Sequence, residues 1–537
     1  MTSTSLKRAN PVTGPTALGA DRTGHPCLRA AVVALAVAGV LLGAARWAGA
    51  ATHTWTGATS AAWSVAGNWT GGAPAPAEAQ PVDLVFPEGG SNPAMNNDIA
   101  GLILNSISFT ATTTAYSIGG ANGFTLGAGG ISTVVAVGIH HQINVALTLG
   151  ASCPFVVSTQ LLVNSTLAVG AYTLTVTTNS PTSAFVQDVV SGNGAIVKNG
   201  NDSLILSGLP ANTFSGSWTI NAGSVRANKP AGVAAINGPV TINSGGYLYA
   251  NNTSNNNFGT SEITVNAGGT LDLQVFGSTA QSIGSLTGAG GVKLGVATLT
   301  IGTDNTSTTF SGAISGTGGI VKTGSGTLTL TGTSTYTGST AVNAGYLTVN
   351  GSIATSAVTI SGFGGLAGVG TVGPLTMTGG AMEPGGWTGL PPAIPGILAA
   401  SGASTLAAPG LYVAIINGPT LGTDYSQLQV TGTLALGDAV LQFQSVPYTP
   451  TPGTVYTIIT TSGGVSGTFG GLAEGASVLG PDGTSYRVSY AANSGRDVTL
   501  TDLTRTTGIP ALDWLGLVIL ALALGAAAFL VLRRMTM

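Results

Sequence analysis

The sequence predicts an all-β chain whose strands stack as the turns of a solenoid. Three observations carry that expectation. Short runs alternate apolar and polar residues, with Leu328 and Leu330 flanking one Thr and Leu347 and Val349 flanking another. Alternation at period two buries one face of a strand. Glycine falls between these runs and makes up 83 of 537 residues, roughly double the usual share of about 7%. Spaced in this way it marks tight turns. Finally, the stretch 315–351, SGTGGIVKTGSGTLTLTGTSTYTGSTAVNAGYLTVNG, returns upstream. A returning unit of this length means stacked coils rather than a globule.

Composition narrows the class further. Only 6% of residues are charged, yet 44% are hydrophobic, so the chain can bury a core and is not of the disordered type. Its surface must then be built of Thr, Ser, Asn and Gly, and Thr suits a pleated ladder. Residues 51–508 carry eight Lys or Arg against sixteen acids, a net charge of −8 with no basic stripe. Nucleic-acid binding is excluded on that ground. Cys27 and Cys153 are the only cysteines, and one thiol in the body cannot staple it.

Residues 1–50 read as a signal peptide. Lys7, Arg8, Arg22 and Arg29 give a positive start, Ala30–Ala45 an apolar helix, and Ala48-Gly49-Ala50 a small-x-small cleavage site. Residues 51–130 form a strand-rich cap region. Its clustered Trp55, Trp63 and Trp69 cover the open end of the stack, with a sugar-stacking platform as the alternative. His140-His141 lacks partners at ligand spacing and reads as a solvated turn.

The solenoid proper spans 131–380, with strand repeats at 191–228, 285–314 and 315–351. Lys198, Gly208, Phe214 and Gly223 of the first correspond to Lys322, Gly332, Tyr336 and Gly345 of the last. In the middle copy Lys293, Leu299, Ile301 and Phe310 fill the same roles. The repeated lysine is expected at an exposed corner, since three equivalent copies argue against a catalytic one. Asn and Thr at equivalent positions can form ladders up the stack.

The pattern G-x-G-x-x-K-x-G-x-x-x-L-x-L-x-G, followed by an aromatic-x-Gly and then N-A-G, resembles the passenger-associated strand repeat of bacterial autotransporters. That resemblance implies a right-handed parallel β-helix of the pectin-lyase-like kind, in a passenger that crosses the outer membrane. The TWTG…NW start and the coils of 381–502 resemble the flanks of the same surface proteins. After Leu503 only 34 residues remain, too few for the barrel through which such passengers exit.

The tail at 509–537 combines a short motif, an apolar stretch at 515–532 and two arginines. Ile509, Pro510, Ala511, Leu512, Trp514 and Gly516 resemble the IPTL class of C-terminal sorting signals, related to PEP-CTERM tails. Ala511 and the place of Trp514 depart from that pattern. The apolar stretch is long enough for a transmembrane helix, and Arg533 and Arg534 would place its end in the cytoplasm. The expected partners are therefore the membrane and an exosortase-like sorting protease, with an extracellular glycan or cell-surface partner for the body. The expected location is the envelope or outer surface of a Gram-negative bacterium.

No constellation for chemistry emerges. The acids are scattered singly, and no nucleophile elbow, phosphate loop, zinc spacing or calcium nonapeptide occurs. No cofactor is expected. The sequence thus predicts a non-catalytic, adhesin-like or structural solenoid. A polysaccharide lyase or hydrolase on the same scaffold is the alternative, because such folds host these enzymes and stacking can bring distant acids together.

Overall fold

The computed structural model describes residues 50–503, apart from 180–182, 251–256, 275–276, 387–393, 445–447, 449–450 and 482. It is an all-β solenoid. Strand after strand pairs in parallel with the strand one turn away. Ile196 stands beside Trp218, Trp218 beside Val240, and Val240 beside Ile263. A turn here takes 22 or 23 residues, as the separations Asn199–Asn221 and Asn243–Asn266 show. It tightens to 18 residues between Asn343 and Ser361.

Each turn contributes strands to as many as three faces. Among the described residues eleven strands, from Ala94–Asn96 to Ala313–Gly316, make one face. Gly332–Thr335 extends it by hydrogen bonds to Ile314 and Ser352, and a sheet of eight strands then begins at Ser352–Ile353. Among the described residues thirty strands make up the other two faces.

The core is a set of ladders running from turn to turn. Cys153, Leu174, Ile196, Trp218, Val240, Ile263 and Leu286 lie in register, and every one is buried. Each such side chain contributes about 1.5–3 kcal/mol by leaving water, but only once a neighbouring coil covers it. Stacking is what makes the short strands stable.

Both ends abandon the parallel pattern. At the N-terminal end Ala51–Trp55 pairs antiparallel with Trp69–Thr70. Trp69 meets Trp55 and Trp63 edge-on, with ring centroids 4.8 and 5.8 Å apart. Trp55 and Trp63 are fully buried and Trp69 nearly so. The rings are thus packed on one another and offer no open face to stack on a sugar. At the other end Val455–Thr461 pairs antiparallel with Asp497–Asp502, which pairs with Ser485–Ala491. Closing a parallel stack with a meander covers an edge that would otherwise recruit another strand.

His141 is corrected. His140–Ile143 is a strand, not a turn, and the His141 ring is buried and stacked on Phe109 at 4.4 Å. Phe109 in turn stacks on Phe86 at 5.2 Å. Burial pushes the His141 imidazole down to about 4, so it is neutral, and its Nδ1 accepts the Tyr116 backbone N–H at 3.2 Å. The sequence period was that of a buried histidine, but no partner in sequence announced the aromatic stack.

The flanking helices of the expected fold are also corrected. Among the described residues no helix is long and apolar enough to cross a membrane. The segments expected to supply the helices, 1–49 and 515–532, lie outside the described residues, as do Ala48, Ile509, Pro510, Ala511, Leu512, Trp514, Gly516, Arg533 and Arg534. Ala50 directly precedes the first strand. Among the described residues the fold is therefore an all-β solenoid without a spanning helix. The membrane anchor, the sorting-protease partner and the anchored location that depended on that helix are withdrawn.

Candidate functional site

The repeat-defining lysines point inward. Lys198 lies in register between Val176 and Ile220, in a row that continues to Phe155 and Ile242. Lys322 stands between Ile301 and Val342. Both occupy places that neighbouring coils give to apolar side chains, and both are buried, which corrects the exposed-corner expectation. The stem packs with the ladder while the ammonium reaches the strand end. There Lys198 Nζ donates to the carbonyls of Asn199 at 2.6 Å, Gly200 at 3.0 Å and Ala222 at 3.2 Å. Lys322 Nζ donates to Thr323 at 2.6 Å, Gly324 at 3.1 Å and Ala344 at 3.1 Å.

An ammonium has three protons, and here each finds a carbonyl. Two belong to the lysine's own turn and the third to the next coil. Burial pushes both ammonium groups down to about 8, so both stay charged at neutral pH. The three carbonyls offset the desolvation. Lys229, which the repeat pattern did not single out, repeats the device: its Nζ donates to the carbonyls of Asp188, Ser207 and Pro210 at 2.7–3.2 Å.

The other repeat positions serve the same joint. Ala222 and Ala344 of the two N-A-G triplets supply the carbonyl from the next coil. Gly223 and Gly345 follow them at φ of 63° and 61°, the left-handed region that favours glycine. A Cβ on Gly345 would strike the Gly324 and Gly326 carbonyls and sit 2.9 Å from Lys322 Nζ. The triplet's Asn builds a ladder: Asn221 donates to Asn199 at 2.9 Å, Asn243 to Asn221 at 2.7 Å and Asn266 to Asn243 at 2.7 Å. Phe214 and Tyr336 are buried, Phe214 edge-on to Trp218 and Tyr336 bonded through its hydroxyl to Thr340. At Gly208 and Gly332 the preceding coil's carbonyls leave no room for a side chain.

Lys293 does not share this role. Its strand, Gly291–Gly295, directs it outward, where it lies 3.7 Å from Asp272. Nor do the two good copies lie on the same face. The Lys198 strand belongs to the column of 217–220, 240–242 and 262–265, whereas the Lys322 strand stacks on 298–301 and 280–283. The joint is a local device that works on either face.

Beside Lys293 lies a polar and aromatic outer surface. Arg226, Tyr249, Asp272 and Lys293 follow one another in register across four coils. Tyr247 and Tyr249 stack at 5.8 Å, and the Arg226 guanidinium lies 5.8 Å from the Tyr249 ring centre. A groove of about 410 Å³ opens beside them, with Asp202 on its wall.

The second candidate is a cleft of about 310 Å³ around Glu383. Glu383 is 1% exposed, and neither carboxylate oxygen has a hydrogen-bond partner among the described residues. It stands in the outward row Thr348, Ala367, Glu383. The Tyr346 ring lies over Gly365, 2.5 Å from where a Cβ would be, and leans on the same cleft. Leu411, Val413 and Phe443 give it apolar walls, and Gln442 and Gln444 supply amides. Burial pushes Glu383 up to about 7; burial and the Glu383 charge together push Tyr346 up to about 12.

A carboxyl raised in the fold gives full stability below about pH 4.5 and loses it as pH rises through 7. Glu383→Gln is therefore expected to stabilise the protein by roughly 2 kcal/mol at pH 8 and by nothing at pH 4.5. Urea unfolding at the two pH values checks this. Sequence reasoning saw Glu383 only as one more single acid. The one signal that could have marked it was its place in an alternating strand amid apolar neighbours, AMEPGG.

Similarity to known proteins agrees with the architecture. The passenger-associated-transport-repeat model matches residues 196–227 and 320–349, the two copies whose lysines turn inward. The chain is also 31% identical, over 159 residues, to the adhesin BmaC autotransporter of Brucella suis biovar 1 (strain 1330). That match covers 29% of this chain and 4% of the adhesin's length. The family-model matches do not include the tail at 509–537. The chain thus carries a passenger-associated repeat region folded as a β-solenoid and is similar, over a limited part, to an autotransporter adhesin.

Proposed function

We propose that this protein is an adhesin-like, non-catalytic solenoid whose repeats build the scaffold and whose outer faces make contact. The observation that carries the reading is the inward direction of Lys198 and Lys322. The residues that define the repeat are spent on joining coils, so recognition falls to the outward rows. The row of Arg226 and Tyr249 is the best-equipped of these, since Tyr and Arg are enriched where proteins make contacts. The similarity to an autotransporter adhesin supports the same reading.

Beads coated with the purified protein are expected to adhere to host-cell or biofilm-matrix surfaces above an albumin control. The double variant Arg226→Ala with Tyr249→Ala should reduce adhesion at least threefold while leaving the thermal midpoint unchanged. Adhesion no greater than albumin would overturn the proposal. The enzyme reading is favoured by one observation, the Glu383 acid pushed up to about 7 by burial, a value suited to proton transfer. Polysaccharide turnover by the wild type that Glu383→Gln abolishes would decide for it.

A further inference from the structure

We propose that the Glu383 cleft binds an organic cation, an ammonium or guanidinium group on an apolar stem, that pairs with the Glu383 carboxylate. This inference stands apart from the adhesin reading.

A buried carboxylate without hydrogen bonds is among the costliest groups a fold can carry. Glu383 has no partner for either oxygen among the described residues. Nor can its neighbours in sequence supply a cation. From residue 323 to residue 486 the chain contains no Lys, Arg or His, but it contains Glu383, Asp424, Asp438, Glu474 and Asp482. Every described residue that lines the cleft comes from this stretch, and Glu383 is the one charged group among them. Elsewhere this chain neutralises a buried charge with great economy, giving three carbonyls to each buried ammonium. Among the described residues Glu383 is the exception, and a cationic ligand resolves it.

The walls select the kind of cation. Tyr346 and Phe443 offer ring surface to a positive charge. Leu411 and Val413 are apolar and would lie along a carbon stem. The amide oxygens of Gln442 and Gln444 can accept the N–H groups that the carboxylate does not reach. A volume of about 310 Å³ suits such a small group.

The pH dependence follows from the groups that face the carboxylate. Tyr346 is the titratable side chain set against it. The adjoining strands Val358–Gly368, Ile394–Pro395 and Leu411–Ile415 bring no ionisable group except Tyr412, whose hydroxyl is turned inward to the Ile458 carbonyl. Protons therefore compete with the cation at Glu383 alone.

The probe is n-butylguanidinium, titrated into the purified full chain and followed by saturation-transfer NMR. Saturable binding is expected at pH 8, at least tenfold tighter than that of the neutral isostere n-butylurea. It should weaken by roughly tenfold or more at pH 5.5, where the carboxyl is protonated. Glu383→Gln should abolish it. Three results would overturn the proposal: no saturable signal in the wild type, equal binding of n-butylurea, or an affinity that does not change between pH 8 and pH 5.5. The last two are read on the wild type and so do not depend on how the variant folds.

Discussion

Lys322→Ala is expected to destabilise the protein by about 3 kcal/mol. The substitution removes three charge-assisted hydrogen bonds and opens a gap in the core row between Ile301 and Val342. Each part alone is of order 1–3 kcal/mol, partly offset by no longer burying an ammonium. Lys322→Met separates the two effects. It refills the row but still strands the carbonyls of Thr323, Gly324 and Ala344, and should cost roughly half as much. Lys293→Ala, at a solvated and half-exposed site, should change stability by less than about 0.5 kcal/mol. Because coils couple chiefly to their neighbours, the loss should show first as faster amide exchange across 301–349, read by hydrogen-exchange mass spectrometry.

Gly345→Ala should be at least as damaging, at about 3 kcal/mol or more. The backbone there sits at φ 61°, which alone costs a side chain of order 1 kcal/mol. The added Cβ would also strike the Gly324 and Gly326 carbonyls, and Lys322 Nζ would have to move. The Gly324 carbonyl is one that Lys322 Nζ holds in place, so relief means disturbing the joint. Gly232→Ala is the matched control. It too has a positive φ, 75°, but its Cβ would meet nothing within 4 Å. It should cost only the backbone strain, about 1 kcal/mol. Chemical denaturation of the three proteins side by side measures the difference.

The fold was legible because its signals are local. Alternation around Leu328 and Leu330, the glycine turns and the returning N-A-G triplet each report on a few residues, and stacking follows from their repetition. The clustering of Trp55, Trp63 and Trp69 was visible for the same reason, and the three rings are buried together. What could not be read were the features that arise between coils. Lys198 and Lys322 look like surface lysines in a Gly- and Thr-rich stretch. Only the next coil's Ala222 and Ala344 carbonyls show why an ammonium belongs inside. His141 depends on Phe109, one turn earlier, and Glu383 on Tyr346 and Phe443, which are supplied by different coils. The middle copy failed for a related reason: Lys293 falls on the outward phase of its strand, a shift that its local spacing conceals.

The lysines also explain how a chain with so few charges uses them. Three of the five lysines, at 198, 229 and 322, are buried against backbone carbonyls. Each closes a strand end whose carbonyls would otherwise face the core without partners. A repeat that carries its own joint can be laid down on either of two faces, as the two copies here are. This accounts for a motif that stays recognisable where turn length drifts from 23 residues to 18.

Amine labelling tests this account most directly. The native protein, treated at pH 7.5 with an acylating reagent and digested for mass spectrometry, should be modified rapidly at Lys293. Lys198, Lys229 and Lys322 should be protected by a hundredfold or more and should become reactive only with unfolding. Labelling of Lys198 or Lys322 in the native state at the rate of Lys293 would contradict the inward joint, and with it the assignment of the repeat to architecture.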